Sequence, residues 1–190
     1  MERFIMQDLI AWKNRKDRKP LILLGARQVG KTYILKEFGQ REFENVAYIN
    51  CDNNAMAKDL FASDYNIDRI LLTIGAITGV NIEAGKTLII MDEIQELHRG
   101  LASLKYFCEN AREYHVAVAG SLLGLALHQG ESYPVGKVNT LEMYPMTFEE
   151  FLWARGFKQR MDLLQHGMWD VVKSLRTLYI QHLREYYLVG

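Results

Sequence analysis

Cysteine is scarce in this sequence: Cys51 and Cys108 are the only two, too few for a disulfide framework and too far apart to form a metal-ligand pair. They read as core thiols in a reducing compartment. No sign of charge dominates, with 23 Lys plus Arg against 23 Asp plus Glu. Nucleic-acid contact would therefore need a local basic patch, because there is no global positive field. Long hydrophobic runs are missing too. No apolar stretch approaches the roughly 18 residues of a membrane span, and Glu2, Arg3 and Asp8 interrupt the N-terminus where a signal peptide needs an unbroken run. A cytoplasmic protein without membrane contact is the expectation. What is present is ordinary globular material, 49% hydrophobic, 24% charged and 11% aromatic, and 190 residues suit one domain with an appendage.

Residues 3–13 place Phe4, Ile5, Leu9 and Trp12 at helical spacing, and a charged segment with Pro20 ends that helix. Short continuous apolar runs follow at Leu21–Leu24, Val46–Ile49, Thr87–Met91 and Val116–Ala119, separated by stretches long enough for helices. Such runs belong to parallel strands covered on both faces, so the class is α/β with repeated βα units. Past residue 128 a loop carries Gly130, Pro134 and Gly136, and 138–143 reads as a fifth strand. Thr147 with Glu150 three residues on is a capping box, and helical pattern continues through Phe151, Leu152, Met161, Leu164, Val171, Leu175, Leu178 and Leu183. Trp153, Met161, Trp169, Tyr186 and Tyr187 read as helix packing or as a surface left uncovered by a missing domain. The expected division is a core over 1–145 and a helical extension over 146–190.

Directly after the first strand stands Gly25-Ala26-Arg27-Gln28-Val29-Gly30-Lys31-Thr32, which fits G-x-x-x-x-G-K-[ST] and leads into a helix from Tyr33. By chance roughly 0.4% of chains of this composition would match. Glycines let the backbone fold its N–H groups inward, and the helix N-terminus adds partial positive charge, so a phosphate can be held by main chain. Lys31 would bridge the β- and γ-phosphates, and Thr32 would offer its hydroxyl to Mg2+. Arg27 and Gln28 fill variable positions, facing solvent or reaching phosphate.

The third apolar run ends in Asp92-Glu93, two carboxylates at the C-terminal end of a buried strand, where open α/β sheets bind ligands. Asp92 would hold Mg2+ through water, and Glu93 could deprotonate the water that attacks the γ-phosphate. Gln95 is a second polar contact or a helix-surface residue. Ser121 ends the fourth run; it would sense the γ-phosphate or cap a helix over 122–127. Lys13, Arg15, Lys16, Arg18 and Lys19 form a basic cluster that could touch phosphate backbones, though a solvated helix end is the commoner reading. The histidines show no metal-ligand spacing, and Glu109 to His115 reads as a polar helix end.

Together these segments resemble AAA-type P-loop ATPases with an extra strand between the two motif strands, which implies a three-layer sandwich with a parallel sheet of order 5-1-4-3-2. More narrowly, RKPLILLGARQVGKTYILKEFG, LIIMDEIQEL, AVAGSLLGL and LEMYPMTFEEFL resemble a bacterial and archaeal family of uncharacterised AAA ATPases. The resemblance implies that Gly25 to Thr32, with Tyr33 beside them, are Walker A, that Asp92 and Glu93 are Walker B, and that Ser121 is sensor 1. ATP, ADP and Mg2+ are the implied ligands. Family members carry Gly-Arg where this chain has Gly136-Lys137, and they continue into a nuclease-like domain, so this chain reads as cut short. The leading expectation is an ATPase with Lys31, Glu93 and Ser121 catalytic, slow alone and helped by homo-oligomerisation. The alternative is a nucleotide-gated switch acting through a missing domain or a protein or DNA partner, with DNA resting on family analogy. A nucleoside or small-molecule kinase shares the loop, but Asp92-Glu93 suits water activation and no Arg-rich lid follows the sheet in this sequence.

Overall fold

The computed structural model describes residues 2–52, 54–61, 64–121 and 133–189. They fall into two compact units, one of Gln7–Met143 and one of Met1–Met6 with Tyr144–Gly190.

In the first unit, β1 (Leu21–Gly25), β2 (Asn45–Asn50), β3 (Thr87–Asp92), β4 (His115–Ser121) and β5 (Asn139–Met143) form one sheet in the order β2-β3-β4-β1-β5. Every pairing is parallel. This is the expected order read from the other edge. β4 inserts between β1 and β3, so the chain reverses its direction of growth there and opens a crevice at the C-terminal strand ends. The register lines those ends up: Gly25 pairs with Ser121 and Met143, and Asp92 with Asn50 and Ala119.

The apolar runs become central strands because both faces are covered. Ile22, Ala47, Ile49, Ile89, Met91, Val116 and Val118 share one core with α4 (Ile67–Thr78) and α5 (Gly100–Asn110). Residues of the opposite pleat, such as Leu21, Leu23, Leu88, Ile90 and Ala117, are fully buried on the other face. There α2 (Lys31–Glu42) presents Ile34, Leu35 and Phe38, and α1 (Ile5–Lys13) brings Trp12 against Phe38. Between β2 and α4 lies the single turn α3 (Ala55–Lys58), capped by Asn54.

His115 departs from the polar helix end expected of it. It opens β4, 6% exposed, with Phe43 and Trp12 edge-on to its ring. The reading missed this because a histidine at a strand start looks polar until two aromatics from distant segments enclose it. The basic cluster is solvated at Arg15 and Lys16, as expected, and tied to the fold elsewhere. Lys13 bonds Glu42, Arg15 pairs with Asp17, Arg18 bonds the carbonyl of Lys13, and Lys19 that of Gly136.

In the second unit the capping box forms as expected: Thr147 Oγ1 accepts from Glu150 N, and Glu150 Oε2 from Thr147 N, opening α6 (Phe148–Ala154). Glu150 does more. Its other oxygen accepts from Phe4 N at 2.8 Å and lies 3.0 Å from Arg3 Nε, both side chains 4% exposed. Then follow α7 (Lys158–Gln165), α8 (Trp169–Ser174) and α9 (Arg176–Val189). Tyr186 packs on Phe148 and Phe151 as expected, whereas Trp169 and Tyr187 are 58% and 76% exposed and do not pack as the helical spacing suggested.

Two predictions follow from these burials. Burial, with the charges of Arg18 and Lys13, pulls the His115 pKa down to about 4, so the fold holds the neutral ring. The unfolded chain takes the proton first, near 6.5. Stability is therefore full above pH 6.5, declines as pH falls from 6.5 to 4, by at most about 3 kcal/mol, and is flat below. Chemical denaturation across that window should show the slope, and His115→Phe should flatten it. Arg3→Met leaves Glu150 without its buried cation and should cost about 3 kcal/mol in the same assay.

Candidate functional site

The site grows from the end of β1. A Cβ at Gly25 would collide with the carbonyl of Met143 on β5, so only glycine lets the two strands lie this close at the mouth of the loop. Gln28 (φ 66) and Gly30 (φ 96) then take left-handed backbone, and Gly30 caps α2 without a side chain. The first N–H groups of α2, which have no partner within a helix, open into the loop.

Lys31 is 6% exposed. Its Nζ donates to Gly25 O at 3.0 Å and Ala26 O at 2.7 Å, so the ammonium fills the centre of its own loop. Burial lowers its pKa, the charges of Glu93 and Asp92 oppose that, and Arg27 adds to it. Ala26, Arg27 and Gln28 are exposed on the outside of the loop, with Val29 and Gly30 half-buried. Tyr33 is 47% exposed in the first turn of α2, its hydroxyl hydrogen-bonded with Glu37.

Asp92, at the end of β3, is 5% exposed. Thr32 Oγ1 donates to its Oδ2 at 2.5 Å, Tyr48 Oη to the same oxygen at 3.3 Å, and Glu93 N to Oδ1 at 3.2 Å. This joins the loop to the acidic strand end. A hydroxyl and a carboxylate side by side are hard oxygen donors of the kind Mg2+ selects, so the residues present fit that ion. Burial pushes the Tyr48 hydroxyl up to about 12, with the Asp92 charge and the hydrogen bond contributing, and the Lys36 ammonium sits 3.4 Å from its ring centre. Cys51 donates its backbone N–H to Asp92 O at 2.9 Å.

Glu93 takes left-handed backbone (φ 52, ψ 47), and its Oε2 accepts from Gln95 Nε2 at 2.5 Å. Gln95 is 5% exposed on the 3-10 turn Ile94–Glu96, so it is not a surface residue. Ser121 ends β4 opposite Gly25; its side chain and the helix expected over 122–127 lie outside the described residues. Lys137 pairs with Glu109 at 2.8 Å.

Lys31, Thr32, Asp92 and Glu93 are thus brought into one cluster. Tyr48 escaped the sequence reading because it lies within an apolar run and carries no motif; only the strand order puts it beside Asp92.

A family model described as AAA domain matches residues 17–152. The chain belongs to that AAA-domain family, an ATP-binding class of P-loop NTPases. It is also similar to uncharacterized protein MJ1637 of Methanocaldococcus jannaschii, 30% identical over 153 residues that cover 72% of this chain and 28% of that protein. The chain therefore spans less than a third of the curated relative it matches. Among solved structures, the Aeropyrum pernix ORC1 protein in complex with DNA is similar at TM-score 0.48 and 14% identity, over 80% of this chain and 47% of that one. Among the described residues, no helix is long and apolar enough to cross a membrane.

Burial, then the charges of Asp92 and Glu93, push the Cys51 thiol up to about 12. Cys108 is buried as well. Native protein at pH 8 should leave both thiols unmodified by a disulfide reagent over minutes, and denaturant should release two equivalents.

Proposed function

We propose that the chain binds Mg-ATP at Gly25 to Thr32 and hydrolyses it to ADP and phosphate. The observation that carries this is the 2.5 Å contact of Thr32 with Asp92 beside the buried Lys31, two motifs 60 residues apart in sequence joined at one strand edge. Backbone N–H groups of the loop would hold the β-phosphate, with Ala26, Arg27, Gln28, Val29 and Tyr33 around it. Thr32 and Asp92 would hold Mg2+, whose charge offsets that of the phosphates. Lys31 exchanges its two loop carbonyls for phosphate oxygens, trading neutral acceptors for charged ones.

Glu93 is the base. It takes a proton from water as the water oxygen bonds the γ-phosphorus and the bond to the β,γ-bridging oxygen breaks; ADP and phosphate leave. Ser121, at the end of the strand between the two motifs, would contact the γ-phosphate or that water. An arginine supplied by a second copy would raise the rate, so turnover is expected to depend on assembly. A protein or DNA partner stays open, with Arg15 and Lys16 exposed beyond the first helix.

Phosphate release should rise more than linearly with protein concentration. Lys31→Ala should weaken Mg-ATP binding at least tenfold. Glu93→Gln should keep affinity while turnover falls about 10^2- to 10^4-fold. Wild-type protein that binds Mg-ATP without releasing phosphate would instead make it a nucleotide-gated switch, and failure to bind would overturn both readings.

A further inference from the structure

Gln95 sits where a glutamine is a poor choice for the fold. Its side chain is 5% exposed, and after Nε2 donates to Glu93 the Oε1 atom is buried with no hydrogen-bond partner among the described residues. An apolar residue of the same shape would fill this space without leaving an acceptor unmet. Something other than stability keeps an amide there.

The turn that carries it is fixed. Ile94 and Leu97 are 0% and 2% exposed. α5 begins against the turn at Gly100, where a Cβ would lie 2.9 Å from Ile94 O and 3.0 Å from the Leu97 Cβ. Glu93, in contrast, is half-exposed and holds a left-handed backbone that residues with a Cβ disfavour. A glutamate side chain there would otherwise sample many rotamers. The amide commits one carboxylate oxygen, through a charge-assisted bond at 2.5 Å, and leaves the second for water. Glu93 donates its backbone N–H to Asp92, which in turn accepts from Thr32 of the loop, so the held carboxylate stands beside the phosphate site.

We propose that Gln95 is a positioning residue for hydrolysis: its amide holds the Glu93 carboxylate in the orientation from which it accepts the proton of the attacking water. This rests on Glu93 as the base.

Gln95→Met keeps the side-chain length and removes the donor. The expected result is a turnover number at least tenfold lower, a Kd for Mg-ATP within about twofold of wild type, and a melting midpoint equal or higher. In a Glu93→Gln background the same substitution should change residual turnover no further. A purely structural glutamine gives the opposite pattern: a lower midpoint, weaker binding, and loss that adds to that of Glu93→Gln. That pattern, a variant that fails to fold, or one that hydrolyses like wild type overturns the proposal. If the wild type binds nucleotide and releases no phosphate, hydrolysis itself fails and the positioning role goes with it; wild-type turnover with an unaffected Gln95→Met sinks the positioning role alone.

Discussion

A carboxylate taken out of water must be met by donors, and Asp92 is where this chain meets that demand. Its acceptors are filled by the Thr32 hydroxyl, the Tyr48 hydroxyl and the Glu93 backbone N–H. Each donor comes from a different piece of the fold: the start of α2, the middle of β2, and the turn after β3. They converge only because the parallel register sets Asp92 level with Asn50 and Ala119 while β4 separates β3 from β1. In this order Thr32, at the start of α2, reaches the Asp92 carboxylate past the end of the intervening strand β4.

Around that carboxylate the backbone departs from ordinary conformations in a compact region. Left-handed backbone at Gln28, Gly30 and Glu93 turns the chain sharply at the strand ends, and Gly25 admits a neighbouring carbonyl that any side chain would displace. At non-glycine positions such conformations cost on the order of 1 kcal/mol or more each. The two-faced core of buried Leu, Ile and Val supplies the stability that lets them persist. Rigid scaffold and strained edge are complementary parts of one arrangement, the usual division of labour in open α/β sheets.

What the sequence revealed and what it hid divide along a physical line. Leu21–Leu24, Thr87–Met91 and the other apolar runs announced parallel strands because two-sided burial leaves no polar alternation, and the loop from Gly25 to Thr32 announced itself because few residue types tolerate its backbone. Thr147 and Glu150 were equally legible, since a capping box is written within four residues. The remainder depends on contacts distant in sequence. Tyr48 meets Asp92 across two strands, His115 is enclosed by Trp12 and Phe43, and Glu150 serves Arg3 and Phe4 from the other end of the chain. Gln95 was visible but ambiguous, because a one-turn helix carries too few residues to show a period. Trp169 and Tyr187 stayed open between packing and an uncovered surface for the converse reason: helical spacing indicates a face but not whether anything covers it.

The most direct measurement is a crystal structure with Mg2+ and a non-hydrolysable ATP analogue. The account predicts the terminal phosphates within the loop from Gly25 to Thr32, Lys31 Nζ moved from the Gly25 and Ala26 carbonyls onto phosphate oxygens, and the metal beside Thr32 and Asp92. Nucleotide bound elsewhere, with Lys31 still on its loop carbonyls and Thr32 still on Asp92, would contradict it.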